Sequence, residues 1–193
     1  MGRGEVLPDF RIRELIGEGV IVGGDKNLVN PSSLDLRVGL GQWKLLGSYY
    51  HIGNERLEAV LGSGRITDSE YAEGGDFYVD LNQPYMTRLM EGLDFSGLSN
   101  ELSARIFNKS GRGRVGISVK GVTDPFYEFG TVPQGFSGNL YAEICATAFP
   151  VTIQPEQIAI PQIRFYNGDP TPLRGLDLGM LLREHPILTD DKG

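Results

Sequence analysis

Gly135-Phe136-Ser137-Gly138-Asn139-Leu140-Tyr141-Ala142-Glu143-Ile144-Cys145 is a turn running into a strand. Side chains alternate across a strand, so Leu140, Ala142 and Ile144 share one face and Tyr141, Glu143 and Cys145 the other. Both faces carry apolar groups, which predicts a strand covered on both sides. A carboxylate in such a strand costs on the order of several kcal/mol unless it is paired or functional. Two readings of Glu143 stand side by side: a structural glutamate paired with an arginine, or a group that takes and returns protons.

Working outward, the same punctuation recurs. The chain has 193 residues with 27 glycines and 11 prolines, so it changes direction often. Strand-like runs fall at about 76–80, 85–90, 101–107, 115–120, 138–145, 150–153 and 158–166, mostly parted by Gly or Pro. Ser33-Leu34-Asp35-Leu36-Arg37-Val38-Gly39 alternates with its leucines and valine on one side, a half-buried strand. On its other side, Asp35 and Arg37 are expected to form a structural pair. Trp43 is expected in the core or at an interface, and His51 in solvent. Helical periodicity between the strands is absent, so the expectation is an all-β sandwich, barrel or jelly roll. Short helices are expected only near the ends. One spans 8–19, with Ile12, Leu15 and Ile16 on one face, and another lies in the tail 169–193 around Leu176, Met180 and Leu181. Residues 47–75 read as a long polar loop. The whole chain, 1–193, is expected to be a single domain.

Net charge is −7, which disfavours a protein whose work is gripping nucleic acid polymers. Cys145 is the single cysteine, so no intramolecular disulfide forms. No run of about 18 apolar residues and no secretory leader is found, so a cytoplasmic, non-membrane protein is expected. Two histidines and one cysteine are too few for a zinc-type nucleobase deaminase, and no HxE or CxxC occurs. Dinucleotide-fold glycine motifs, P-loops and GxSxG elbows are likewise missing. The densest chemistry is Asn108-Lys109-Ser110-Gly111-Arg112-Gly113-Arg114, with three cations and a hydroxyl between two strands. It is either an anion nest, in which glycine backbone N–H groups and arginine forks meet phosphate, or a solvated basic turn.

Three stretches together resemble the dCTP deaminase branch of the dUTPase/dCTP deaminase superfamily. Asn30-Pro31-Ser32-Ser33-Leu34-Asp35-Leu36-Arg37-Val38-Gly39 is similar to an early family strand. Lys109-Ser110-Gly111-Arg112-Gly113-Arg114-Val115 is similar to its nucleotide motif, and Gly135 to Glu143 to the hairpin that holds its catalytic glutamate. Segments near Phe149 and Gln162 add a likeness to the N-terminal half of tandem-domain deaminases. The resemblance implies a distorted, dUTPase-like jelly roll and a homotrimer with nucleotide sites between subunits. It also implies zinc-independent deamination of dCTP to dUTP and ammonia. By it, Glu143 activates water for attack on cytosine C4 with Ser110 and Arg114 in support. Lys109, Gly111, Arg112, Tyr141 and Gln162 bind nucleotide, and Mg2+ comes with the triphosphate. Gly111 replaces a family serine. Pro133 replaces an aspartate used for phosphate attack, which points away from diphosphate release. Two alternatives carry forward: a non-catalytic nucleotide-binding or assembly subunit, and a dUTPase-like diphosphatase.

Overall fold

The computed structural model describes residues 4–50, 55–68, 72–73, 75–98, 102–125, 128–156 and 158–168. The expected tail helix and His51 lie outside them. The chain opens with β1 (Glu5–Val6), α1 (Asp9–Gly17), β2 (Ile21–Val22) and β3 (Val29–Asn30). In α1, Ile12 and Leu15 are buried as their spacing predicts. The helix is two residues shorter at its C-terminal end than the sequence reading, with Glu18 as C-cap. Then follow β4 (Ser33–Lys44), α2 (Leu57–Gly62), β5 (Ala72–Glu73), β6 (Phe77–Val79), β7 (Pro84–Asp94) and β8 (Leu102–Asn108). After α3 (Ser110–Arg114) come β9 (Ile117–Asp124), β10 (Thr131–Val132), β11 (Ser137–Ala146), β12 (Val151–Ile153) and β13 (Ala159–Asn167).

Two expectations are corrected here. Residues 47–75 are not all loop: α2 forms within them because Leu57 and Leu61, four apart, are buried on one side. Asp35 and Arg37 do not pair with each other. Asp35 meets Lys109, between β8 and α3, and Arg37 meets Glu91 on the neighbouring β7, because each finds an opposite charge outside its own strand.

Among the described residues, eleven strands form one sheet whose main path runs β10-β8-β13-β4-β7-β11-β9, and β12 pairs with β6. The ladders between these strands are antiparallel. The architecture is the expected all-β jelly roll, distorted where β4 shifts register between Val38 and Gln42. Gly39 sits at that shift, and a Cβ there would fall 2.7 Å from the Arg88 carbonyl oxygen. The two ends of the path come close together. The Gly130 amide donates to the Gly121 carbonyl at 2.8 Å, and the Ile106 amide donates to Gly130 at 2.7 Å, so the β9–β10 connection ties β8 to β9. No helix of the described residues is long and apolar enough to cross a membrane.

Two hydrophobic clusters lie on opposite sides of the sheet. The larger, inner one contains Leu34, Leu36, Val38, Leu89, Leu93, Phe95, Leu140, Ala142, Ile144, Ile163 and Phe165. A smaller, outer one contains Leu45, Tyr49, Leu57, Leu61, Met86, Val122 and Tyr141. β11 is shared between them: its even-numbered residues face the inner cluster and Tyr141 the outer. Gly121 permits the close approach of β8 and β9, since a Cβ there would lie 2.5 Å from the Ile106 Cβ. Gly121→Ala is therefore expected to lose about 1–3 kcal/mol through overpacking. An unchanged midpoint in chemical denaturation would contradict this packing.

Candidate active site

Glu143 is 4% exposed, in the middle of β11. Burial of the outer face of this strand comes from residues 45–50 and 55–61, which lie over it and supply Leu45, Tyr49, Leu57 and Leu61. The first of these stretches satisfies the carboxylate. Ser48 Oγ donates to Glu143 Oε1 at 2.8 Å and the Tyr49 amide donates to Oε2 at 2.5 Å. From the neighbouring strand, Lys120 Nζ lies 3.0 Å from Oε1 and 2.5 Å from Ser48 Oγ. The antiparallel register sets Lys120 directly opposite Glu143, and the shared face follows from that register. Ser48 and Lys120 are exposed, so the carboxylate lies one side chain beneath the surface.

The surroundings are aromatic and weakly polar. Lys120 Nζ stands 5.4 Å from the Phe129 ring centroid, and Tyr49 meets the same ring edge-on at 6.4 Å. Burial pushes the Tyr49 hydroxyl up to about 12, with the charge of Asp124 adding to it. Burial also raises the Cys145 thiol, helped by the negative charge of Glu143. Both shifts favour the neutral, protonated form of these two groups.

A second network anchors α2 over the sheet. The Tyr141 hydroxyl donates to Glu58 at 2.6 Å, and burial first, then this bond, holds that hydroxyl well above the usual phenol range. Arg88 donates to Asn139 at 2.9 Å, and its guanidinium lies 3.9 Å from Glu58. Buried Asp124 accepts from the Leu57 amide at the start of α2 and lies 3.7 Å from Arg56.

The basic stretch lies elsewhere. Ser110, Gly111, Arg112, Gly113 and Arg114 form the one short helical turn of α3 rather than an extended hairpin loop. Ser110, Gly111 and Arg114 are exposed and Arg112 is half-buried. Asn108 holds the ends of this turn together through a 2.6 Å bond to the Ile117 carbonyl. Lys109, just before it, is bonded to buried Asp35, which also accepts from Asn30 at 3.1 Å. Gln162 donates to Ser33 at 2.7 Å on the neighbouring strand. Among the described residues, no hydrogen bond or ion pair joins α3 to Glu143. Lys120 lies three residues into β9, roughly 10 Å along the strand, and α3 lies beyond the start of β9. Tyr141 and Glu143 share a strand face, whereas Ser110 and Arg114 are not brought to them within one chain.

The chain matches the family model described as "2'-deoxycytidine 5'-triphosphate deaminase (DCD) N-terminal domain" over residues 3–169. It belongs to the dCTP deaminase family. A "dCTP deaminase, dUMP-forming" of Rhodococcus erythropolis is 30% identical over 154 residues, 76% of this chain and 72% of the relative. The solved 2'-deoxycytidine 5'-triphosphate deaminase of Agrobacterium tumefaciens superposes with a TM-score of 0.80 at 26% identity. That match covers 98% of this chain and 54% of the other, so this chain spans about half its length. The jelly roll described above is thus the fold of this family.

Sequence reasoning reached Glu143 and its strand but not Ser48, Tyr49 or Lys120. Lys120 was in principle reachable: once β9 and β11 pair, one register fixes its partner. The length of the connection between them, which sets that register, carries no pattern of its own. Ser48 and Tyr49 lie 95 and 94 residues away from Glu143 in sequence, beyond any local signal.

Proposed function

We propose that this chain carries a dCTP deamination site in which Glu143 is the general base and acid. The observation that carries the reading is a buried carboxylate, in a strand covered on both faces, within a chain of the dCTP deaminase family. Glu143 takes a proton from water as the water oxygen bonds to cytosine C4. The electron pair of the C4–N3 double bond passes to N3, to which Glu143 returns the water proton. Glu143 then takes the proton of the new C4 hydroxyl and delivers it to the exocyclic amine, the C4–N4 bond breaks, ammonia leaves and the C4 carbonyl forms. Atoms balance as dCTP plus water giving dUTP plus ammonia.

The supporting groups are Ser110 and Arg114 at the base, with Lys109, Gly111 and Arg112 toward the phosphates and Tyr141 beside Glu143. α3 presents cations and no carboxylate, so it suits phosphate oxygens. Mg2+ belongs in this reading as the companion of the triphosphate, held by phosphate oxygens. Gln162 joins the nucleotide only by exchanging its bond to Ser33. Because α3 and Glu143 are separate within one chain, the site is completed by α3 of a second copy. That favours a homotrimer with sites between subunits.

One observation favours a second product: the Rhodococcus relative is named dUMP-forming. Pro133, where the aspartate for phosphate attack is absent, favours dUTP. The purified chain, given dCTP and Mg2+, is expected to release ammonia without diphosphate. Diphosphate in step with ammonia would replace the product with dUMP. Neither product at high protein concentration would leave the non-catalytic nucleotide-binding or assembly role.

A further inference from the structure

Glu143 Oε1 accepts from two groups and Oε2 from one. A carboxylate has about four acceptor sites, so three are committed to the protein and one is left. Which direction that remaining lone pair faces depends on how the carboxylate plane is held. Ser48 and Tyr49 belong to the irregular segment between β4 and α2. Lys120, in contrast, belongs to β9, hydrogen-bonded to β11 along its length. Its ammonium is in turn steadied over the Phe129 ring at 5.4 Å, an arrangement that is attractive in itself. Lys120 also reaches Ser48 Oγ. Since an ammonium only donates, it makes the Ser48 oxygen an acceptor and directs the Ser48 hydrogen toward Glu143.

We propose that Lys120 is the positioning residue of the deamination centre: clamped on Phe129, it fixes the Glu143 carboxylate plane, both directly and through Ser48, so that the one uncommitted lone pair faces the attacking water. The inference rests on the deaminase reading of Glu143. Lys120 itself touches neither water nor nucleotide in this role. It is more than a counter-charge, because a counter-charge alone would need no second bond to Ser48 and no aromatic seat. Phe129 lies in the connection between β9 and β11, so the clamp joins that connection to the two strands it links.

The test compares Lys120→Met and Lys120→Arg with the unaltered chain, using dCTP turnover and the NMR signal of the Tyr49 amide proton. A 2.5 Å bond to a carboxylate places that proton far downfield, so it reports carboxylate position without needing activity. Lys120→Met is expected to lose about 10²-fold in kcat with KM little changed, the size of effect that small misplacement produces. The Tyr49 amide should move upfield. Lys120→Arg, whose guanidinium still donates to Oε1, should recover part of both. Lys120→Gln replaces Met if the latter does not fold. Unchanged kcat in Lys120→Met overturns the proposal. So does lost turnover with an unmoved Tyr49 amide, which would make Lys120 a substrate contact. If the unaltered chain does not turn over dCTP, the deaminase reading fails separately. The amide alone then decides whether Lys120 holds the carboxylate.

Discussion

Glu143→Gln is expected to reduce ammonia release from dCTP by about 10²–10⁴-fold, the contribution of a positioned general acid–base group. The amide is the same size as the carboxylate, so the inner cluster around Leu140, Ala142 and Ile144 is untouched. The loss is chemical for two reasons. An amide oxygen is too weak a base to take a proton from water. The amide also brings two hydrogens to a site where Ser48, Tyr49 and Lys120 all donate, so at least one donor loses its acceptor. Thermal denaturation of the variant should show a folded protein with a lowered midpoint. Turnover at the level of the unaltered chain would remove Glu143 from the mechanism.

The second large effect lies in the frame and not at the site. Glu91, in β7, is 1% exposed. It accepts from the Arg37 backbone amide and from Arg37 Nε, each at 2.8 Å, while Arg37 also donates to the Gly23 carbonyl at 2.7 Å. Arg37→Met is expected to destabilise by about 3–5 kcal/mol near pH 8, the cost of stranding one partner of a buried pair. The effect depends on pH with a definite sign. Burial, the dominant influence, raises Glu91, and the Arg37 bonds and charge oppose it. With the folded value above the unfolded one, the native state keeps a proton that the unfolded state has lost. Stability then falls as pH rises from the ordinary carboxylate value through the folded one. Removing Arg37 takes away the opposing influences and widens that window. Urea denaturation should therefore show a smaller loss at pH 5 than at pH 8. An equal loss at both would mean that Glu91 stays ionised without its arginine.

These two sites mark where sequence reading succeeds and where it stops. The alternation of Leu34, Leu36 and Val38, and that of residues 140–144, is a local signal, and the clusters on the two faces of β11 follow it. The helix around Ile12 and Leu15 is equally local. The partners of polar groups are not. Asp35 and Arg37 alternate as a pair would, yet each bonds elsewhere, Asp35 to Lys109 before α3 and Arg37 to Glu91 of β7. The polar surface of 47–75 hid α2, because only Leu57 and Leu61 turn inward and six residues are too few for a periodic pattern. Ser110 and Arg114 were read from motif likeness, and their distance from Glu143 appears only once the strands are paired.

The two clusters on either side of β11 differ in what they hold together. The inner one draws on nearly every long strand, whereas the outer one is closed by residues 45–50 and 55–61, through Leu45, Tyr49, Leu57 and Leu61, laid over Met86, Val122 and Tyr141 of the sheet. Free energies of opening differ within one protein according to such contacts. Hydrogen exchange at the amides of 57–62 should accordingly run ahead of exchange at those of β4 and β7. The cover over Glu143 then opens as a unit of its own, while the barrel beneath it stays closed. Under the proposed function, admission of a nucleotide to the carboxylate is a local opening, whose cost is set by a handful of side chains such as Leu57, Leu61 and Glu58 and not by the stability of the whole molecule.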